Sequence, residues 1–274
     1  MIKYRIEYVT TDVTVGCHQD GSVKVNINVG SKLPDMTARN IIVEAHLNDP
    51  VMQIALSHTM EALRHQFPNA KFMLDMPYTP YARQDRRCNP GEAVGIKVFG
   101  DYINSLDFTA VIITDPHSIA CELSIDKAQV VPQTEAFEDL HDFGGWYIVA
   151  PDLGAMKKAE AFAKATQALG VLTCYKERNL YTGDITSQGV IGGEDIPEGS
   201  RFFVIDDICD GGRTFVGVHA LLQKFKPELV HLAVTHGIFS YGESVVTDIF
   251  DHVYTTNSYN PDRKSSEKLT VIKV

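Results

Sequence analysis

Five short apolar segments alternate along the chain with segments of helical periodicity. The apolar segments are rich in Val, Ile and Phe, and they lie at residues 71–78, 108–115, 146–152, 202–208 and 229–237. Runs of this length and composition are typical of strands buried in a parallel sheet. Helical spacing follows at Phe99, Tyr102, Ile103 and Leu106, and again at Phe215, Val218, Leu221, Leu222 and Phe225. Repetition of strand and then helix predicts an α/β fold with mostly parallel sheets.

Polar stretches interrupt this alternation at residues 26–40 and 181–200. The second stretch is rich in glycine, and we expect it to be a mobile loop, because long loops without regular structure are usually functional or disordered. A further polar, Gly-containing segment lies at residues 138–145. This segment predicts a boundary between one domain at residues 1–140 and a second at residues 141–274.

Composition and charge exclude several classes of protein. The 274 residues are 44% hydrophobic, enough to bury a core, and the net charge of −10 argues against a surface that neutralises nucleic-acid phosphates. The five cysteines are scattered and form no C-x-x-C pair, so neither a disulfide framework nor a zinc site is predicted. No apolar run suits a signal peptide or a membrane span. We therefore expect a cytoplasmic protein that binds neither nucleic acid nor membrane.

The segment FFVIDDICDGGRT, from Phe202 to Thr214, is the strongest candidate for chemistry. An apolar strand runs into adjacent carboxylates and then into a Gly-containing turn that opens a helix. Backbone N–H groups at such a helix start can bind an anion. Asp206 and Asp207 can hold ribose hydroxyls or a magnesium ion. Without the paired acids, an ordinary strand, turn and helix capped by Asp210 is an equally good interpretation.

The motif IDDICDGGRT resembles the phosphoribosyl pyrophosphate (PRPP) binding loop of the PRPP synthetases and phosphoribosyltransferases. Further segments are similar to motifs of the PRPP synthetase family alone, and they occur in the family's order along most of the chain. These segments are PYTPYARQDRR at 77–87, TDPHS at 114–118, APDLGAMKKAE at 150–160, KER at 176–178 and THGIFS at 235–240. The chain is identified by this series as resembling a short, divergent PRPP synthetase.

The resemblance assigns roles to individual residues. The sugar-phosphate turn would comprise Asp206, Asp207, Asp210, Gly211, Gly212, Arg213 and Thr214. ATP would contact Asp20, Arg83, Gln84, Asp85 and His117. Magnesium would be bound by His117 and Asp152, and the catalytic cations would be Lys176 and Arg178.

Each of these residues also has a plainer interpretation when it is taken alone. Arginines in a surface turn such as RQDRR are commonly solvated, and a single histidine at a strand end is more often structural. Asp152 is suited to cap the helix that follows it. Lys176 and Arg178 would ordinarily be charges on a strand edge. With the Gly-rich stretch after them, they instead favour the hinge of a lid that closes over ATP.

The family resemblance implies two tandem phosphoribosyltransferase-like (type I) domains with the active site at their junction. It implies ATP- and Mg²⁺-dependent transfer of pyrophosphate to the anomeric hydroxyl of ribose 5-phosphate, which gives PRPP and AMP. It also implies a homo-oligomer, either a dimer or a hexamer, because the family's adenine pocket spans subunits.

Three positions depart from the family pattern. Ser22 stands where the family has a glutamate in its adenine segment, and in the sugar-phosphate turn Gly211 replaces Ser or Thr and Arg213 replaces glycine. An added guanidinium favours an alternative substrate with a longer 5′ substituent, such as ADP-ribose. A second alternative is a non-catalytic paralogue that regulates a partner. Retention of Lys176 and Arg178 counts against that alternative.

Overall fold

In a computed structural model, the chain forms two compact units, Met1–Val131 and Pro132–Val274. The structure describes residues 1–6, 9–28, 39–140, 143–178 and 185–274. Within these ranges, it describes the backbone but not the side chains of residues 9, 176–178 and 185–187. The division falls earlier than the boundary that the sequence predicts after residue 140. The short helix Gln133–Ala136 lies beyond this division, and the Gln133 side chain bonds to residues of the second unit.

In the first unit, helices connect successive strands of a six-stranded sheet along the chain. Its elements are β1 Ile2–Ile6, β2 Val9–Asp12, β3 Thr14–Cys17, β4 Val23–Asn26, β5 Asn40–Ala45, α1 Pro50–Gln66, β6 Lys71–Met76, α2 Gly95–Ser105, β7 Ala110–Thr114, α3 Ile119–Ser124 and β8 Ala128–Val131. Six strands form the sheet in the order β2-β1-β5-β6-β7-β8. The pairs from β5 to β8 are parallel, whereas β1 is antiparallel to β2 and β5.

A single apolar core lies between this sheet and the helices. Alternate residues of β1 and β5, such as Tyr4 and Val43, face the core, where they meet Leu56 and Met60 of α1. The intervening positions carry charges, including Glu44 of β5. This alternation is the period-two pattern expected of a sheet that is buried on one face.

The second unit is built around a larger sheet. Its elements are α4 Gln133–Ala136, β9 Trp146–Ala150, α5 Met156–Thr166, β10 Gly170–Arg178, β11 Ile185–Ile191, β12 Arg201–Cys209, α6 Arg213–Leu222, the 3₁₀ turn Gln223–Phe225, β13 Leu229–Gly237, α7 Ser244–Thr247, β14 His252–Thr256 and β15 Leu269–Ile272. Seven strands follow the order β11-β10-β9-β12-β13-β14-β15. Every pair is parallel except β10 with β11.

This strand order places β12 in the middle of the sheet, between β9 and β13. The carboxyl ends of parallel strands meet at one edge of a sheet, and in open α/β sheets that edge binds ligands. The segments that follow β9, β12 and β13 therefore lie at a common edge. Apolar packing on both faces, against α5 on one and α6 on the other, holds the three strands in place.

The structure confirms the α/β class with mostly parallel sheets and all five predicted strands, which appear as β6, β7, β9, β12 and β13. The 181–200 segment differs from the loop that its glycines predict. Residues Ile185–Ile191 form β11, which pairs with β10 to make an antiparallel ribbon. Residues 179–184 lie outside the described part of the chain. The helices that the structure describes include none with the length and hydrophobicity required to cross a bilayer.

Aromatic and histidine side chains form a continuous strip across one face of the second sheet. The His231 ring lies 4.7 Å from Trp146 and 5.9 Å from His252 and Tyr254, measured between ring centroids. Burial and, to a lesser extent, the neighbouring His252 together lower the pKa of His231 to about 4, while Asp251 opposes the change. His231 is therefore packed as a neutral ring at physiological pH.

We predict that the chain loses stability in mild acid through His231. The folded state binds this proton only near pH 4, whereas the unfolded chain binds it near pH 6.5. The free energy of unfolding should therefore fall by up to about 3 kcal/mol as the pH drops through this window. His231→Phe keeps an aromatic ring and should remove most of this dependence in urea melts at about pH 7 and about pH 4.5. Equal pH dependence in the variant and the wild type would contradict the assignment.

Candidate active site

The turn between β12 and α6, which we call the phosphate turn, comprises residues Asp210–Thr214. Gly212 at the N-cap of α6 adopts a φ of +78°, a left-handed conformation that side chains rarely take. A Cβ at this position would also lie 2.7 Å from Cγ1 of Val245. Only glycine satisfies both restrictions, so the backbone can turn directly from the strand into the helix.

This geometry leaves the start of α6 open to a ligand. Gly212 has no side chain to cap the helix, and no side-chain hydrogen bond at the N-cap takes its place in the described structure. The expected alternative, a cap from Asp210, is wrong because the capping position belongs to Gly212. Arg213 and Thr214, in the first turn of α6, are exposed. Unbonded N–H groups and the helix dipole make such a start a binding site for phosphate.

Paired carboxylates precede the turn near the end of β12. Asp207 is buried and Asp206 is half-buried, and the Asp207 N–H donates to Oδ1 of Asp206 at 2.9 Å. Burial raises the pKa of Asp206 well above its usual range, and the charges of Asp207 and Asp152 raise it further. The site thus concentrates negative charge that a cation or hydroxyl donors can relieve.

Gln133 holds β12 at this point, and its role is not visible in the sequence. Its buried side-chain amide donates to the carbonyl oxygen of Asp206 at 2.6 Å and to Oγ1 of Thr235 at 3.1 Å. These bonds link the middle of the sheet to α4. A single glutamine in a polar segment carries no periodic signal, so only the fold identifies it.

Asp152 follows β9 and is exposed at the same edge of the second sheet. Its Oδ1 accepts from the N–H groups of Gly154 and Ala155, at 2.8 and 3.0 Å. The expected capping role is wrong in detail, because Ala155 occupies the N-cap of α5 and Asp152 organises the turn before it. Both of these hydrogen bonds go to the same carboxylate oxygen, Oδ1.

The segment at residues 238–246, which follows β13 and includes the first residues of α7, covers the phosphate turn, and we call it the 238–246 loop. Its backbone N–H groups at Ile238 and Phe239 donate to the carbonyl oxygen of Cys209, and that of Ser240 donates to Asp210 at 3.1 Å. Tyr241 at its tip is 67% exposed, and the Arg213 guanidinium lies 6.0 Å from the centre of its ring. The motif THGIFS predicts the first part of this loop but not Tyr241.

Arg263 stabilises the 238–246 loop through contacts with two of its side chains. Its side chain is 8% exposed, forms an ion pair with Glu243 and lies 4.6 Å from the centre of the Phe239 ring. The buried guanidinium thus bridges a charge and an aromatic face of the same loop. No motif in the sequence points to Arg263, because its partners are distant along the chain.

In the first unit, the residues predicted to bind ATP lie in the connection from β6 to α2. Arg83 and Gln84 are exposed, and Asp85 lies 3.5 Å from Nε of Arg86. Gln84 is held against the start of α2, because its backbone N–H donates to Tyr81 and its side chain lies over Gly95. A Cβ at Gly95 would lie 2.3 Å from Oε1 of Gln84.

Glu92 orders the rest of this connection. Its Oε2 accepts from the N–H groups of Cys88 and Asn89, at 2.8 and 2.9 Å, and its carbonyl oxygen accepts from Nε of Arg87. Hydrogen bonds from Asn89 and Cys88 lower the pKa of the Glu92 carboxyl group. The arginine-rich turn is therefore a structured loop and not merely a solvated run of charge.

Asp20 lies in the exposed turn between β3 and β4, where Ser22 departs from the family pattern. Oδ1 of Asp20 accepts from the backbone N–H of Ser22 at 2.9 Å and from its hydroxyl at 2.7 Å. These bonds lower the pKa of Asp20. Ser22 thus stabilises the turn locally and does not supply the negative charge of a glutamate.

The remaining predicted residues fall in separate units. His117 is exposed in the first unit, between β7 and α3, while Asp152 belongs to the second. Lys176 and Arg178 lie in β10, opposite Gln188 and Ile185 of β11, with a register shift between Glu177 and Arg178. Their side chains lie outside the described part of the structure.

Known proteins match both the sequence and the fold. The family model for a phosphoribosyl transferase domain matches residues 148–261. The ribose-phosphate pyrophosphokinase of Aquifex aeolicus is 28% identical over 96% of this chain and 84% of its own length. That of Vibrio vulnificus is 28% identical over 90% and 78%, and that of Ureaplasma parvum is 25% identical over 77% and 64%. These matches support the resemblance to the ribose-phosphate pyrophosphokinase family over most of the chain.

A solved member supports the assignment of the fold. The phosphoribosylpyrophosphate synthetase of Mycobacterium smegmatis superposes with a TM-score of 0.78, covering 98% of this chain and 88% of that one at 20% identity. The superposition includes both sheet-bearing units, in agreement with the phosphoribosyltransferase-type domains expected for a ribose-phosphate pyrophosphokinase.

The donor set of the second unit fits the magnesium ion that the family resemblance implies. Magnesium prefers carboxylate oxygen, and Asp152 and Asp206 are close enough for the charge of one to raise the pKa of the other. The described residues contain no group of three or more His, Cys, Asp or Glu arranged as a cage for a metal. Magnesium in phosphate-transfer sites usually keeps several waters and binds substrate phosphates, so a complete protein cage is not required.

We predict that Gly95→Ala weakens ATP binding through Gln84. The added methyl group would occupy the space of the Gln84 amide and push it from the start of α2. Loss of one neutral hydrogen bond to the nucleotide would raise the KM for ATP by about two- to tenfold. Steady-state kinetics with varied ATP measure the effect.

Gly217→Ala is the matched control, because no atom lies within 4 Å of its Cβ position in α6. This substitution should leave the KM for ATP unchanged and should stabilise the helix by about 0.5–1 kcal/mol. A normal KM in a folded Gly95→Ala variant would remove Gln84 from the nucleotide site.

Proposed function

We propose that this chain transfers the pyrophosphoryl group of ATP to the anomeric hydroxyl of ribose 5-phosphate, forming PRPP and AMP. The observation that carries the proposal is that half-buried Asp206 and buried Asp207 precede the phosphate turn, in which a left-handed glycine begins a helix whose N-cap makes no side-chain hydrogen bond. Similarity to ribose-phosphate pyrophosphokinases over most of the chain supports the same reaction.

The phosphate turn would bind the sugar by its charged end. The N–H groups at the start of α6 would hold the 5′-phosphate, and the exposed hydroxyl of Thr214 would add a donor. Asp206 and Asp207 would accept hydrogen bonds from the ribose hydroxyls. With both ends of the sugar held, the anomeric hydroxyl would be oriented for attack on the β-phosphorus of ATP.

ATP would be bound by Arg83, Gln84 and Asp85, with His117 and Asp20 as further contacts. Arg83 is exposed on a loop that Glu92 orders, so its planar donor group can pair with a phosphate without a large loss of entropy. Lys176 and Arg178 would stabilise the charge on the transferred group, because pyrophosphoryl transfer depends mainly on positioning and electrostatics.

Magnesium, held by His117 and Asp152, would neutralise charge on the triphosphate so that an oxygen nucleophile can approach. The bonds from Gly154 and Ala155 to Oδ1 hold the carboxylate of Asp152 in the turn before α5. We also propose that the protein works in the cytoplasm as a homo-oligomer. The exposed turn at Asp20 is the segment that would help to form an adenine pocket across subunits.

We predict that Lys176→Ala and Arg178→Ala each lower kcat by about a hundredfold or more, because each removes a cation from the transition state. The measurement is AMP release from ATP and ribose 5-phosphate. Circular dichroism and the melting temperature should stay close to those of the wild type.

The exposed Lys164 of α5 provides a matched control for charge. Lys164→Ala removes the same charge from the second unit and should retain nearly full turnover. If both strand variants also turn over normally, the cations of β10 are not catalytic.

We predict that the reaction requires a divalent cation and that His117→Ala raises the magnesium or ATP concentration needed for half-maximal rate. Titration of magnesium at fixed ATP measures this shift. The exposed His58 of α1 is the control, since His58→Ala removes an imidazole elsewhere in the same unit. A rate that a chelator leaves unchanged would refute the metal-dependent chemistry.

A longer sugar phosphate such as ADP-ribose is the second candidate substrate. The Arg213 guanidinium lies over the Tyr241 ring, 6.0 Å from its centre. An exposed cation next to the phosphate turn can pair with a second phosphate beyond the first. The reaction would be the same, with pyrophosphate transferred to the anomeric hydroxyl.

A further inference from the structure

Both departures from the family pattern in the phosphate turn contact the same exposed side chain. The ring of Tyr241 lies against Gly211 and beneath the guanidinium of Arg213. Tyr241 belongs to the 238–246 loop and lies 28 residues after Arg213 in the sequence, counting from 213 to 241. The two changes in the turn are therefore linked through a residue that the family motifs do not include.

Steric contact explains why position 211 is a glycine. A Cβ there would lie 3.0 and 3.1 Å from Cε2 and Cδ2 of Tyr241, which is tighter than nine in ten real contacts of this kind. No left-handed φ is recorded at Gly211, so the backbone conformation alone does not require glycine. A serine or threonine at this position would displace the ring. Gly211 therefore makes room for Tyr241.

The loop that carries Tyr241 is well anchored although the ring itself is exposed. The N–H of Ser240 donates to the Asp210 carbonyl on one side of Tyr241 along the chain, and Glu243 on the other side pairs with the buried side chain of Arg263. An aromatic side chain that is 67% exposed gains little from packing. Its fixed position beside the phosphate turn instead provides a flat surface and a neighbouring cation for a ligand.

We infer that Tyr241, seated against Gly211 and Arg213, selects the group attached to the 5′-phosphate of the sugar substrate. The ring and the guanidinium together suit a substituent that continues with a second phosphate and a planar group. This inference rests on the proposed pyrophosphoryl transfer and adds the determinant of its substrate choice. The sugar and its first phosphate are held by other residues, so Tyr241 affects longer substrates selectively.

The test compares kcat/KM for ADP-ribose and for ribose 5-phosphate, with AMP release as the readout. Tyr241→Ala should lower the value for ADP-ribose by about tenfold or more and that for ribose 5-phosphate by less than about twofold. Tyr241→Phe keeps the ring and should retain the wild-type ratio. An unchanged ratio in Tyr241→Ala would overturn the inference.

A second measurement uses Gly211→Ser, which restores a residue typical of the family. In the wild-type background the serine meets the tyrosine ring, so activity with either sugar should fall. In the Tyr241→Gly background the same substitution should cost several-fold less, because the ring is absent. Equal costs in the two backgrounds would contradict the steric link.

The outcomes separate this inference from the proposed function. If the wild type releases AMP with ribose 5-phosphate but ADP-ribose neither reacts nor competes, the inference fails and the proposed function stands. If neither sugar supports AMP release, the proposed function fails and the inference fails with it.

Discussion

The left-handed turn at Gly212 is the constraint on which the rest of the site depends. It allows the central strand β12 to pass into α6 within a few residues, so that the acids and the start of the helix lie at the same edge of the sheet. Any side chain at this position would meet Val245 and would also strain the backbone. The candidate site of the second unit therefore requires glycine at position 212.

The strand order turns this local geometry into a site. Because β9, β12 and β13 are adjacent and parallel, Asp152, the paired aspartates and the 238–246 loop converge at one edge. Mutual repulsion and burial make the acids costly to keep charged without a partner, as the raised pKa of Asp206 indicates. A magnesium ion or the hydroxyls of a sugar would relieve this cost, so ligand binding would stabilise the charged carboxylates.

The sequence predicts the parts of this architecture that repeat locally. The strands β6, β7, β9, β12 and β13 were predictable from apolar runs bounded by polar tips, and the phosphate turn from its acids and glycines. Strand β11 was not predictable, because its glycines suggest a loop and only pairing with β10 makes it a strand. Gln133, Tyr241 and Arg263 were missed because their roles arise from contacts between distant segments. The roles of Lys176 and Arg178 remain predictions.

The central claim is that ATP gives up its two terminal phosphates as one group. The most direct measurement uses ATP labelled in its β-phosphate, incubated with the protein, magnesium and ribose 5-phosphate. Transfer of pyrophosphate predicts that the label moves to the sugar and that AMP accumulates in equal amount. Label that remains in ADP, with a singly phosphorylated product, would contradict the account, because it would mean that only the γ-phosphate is transferred.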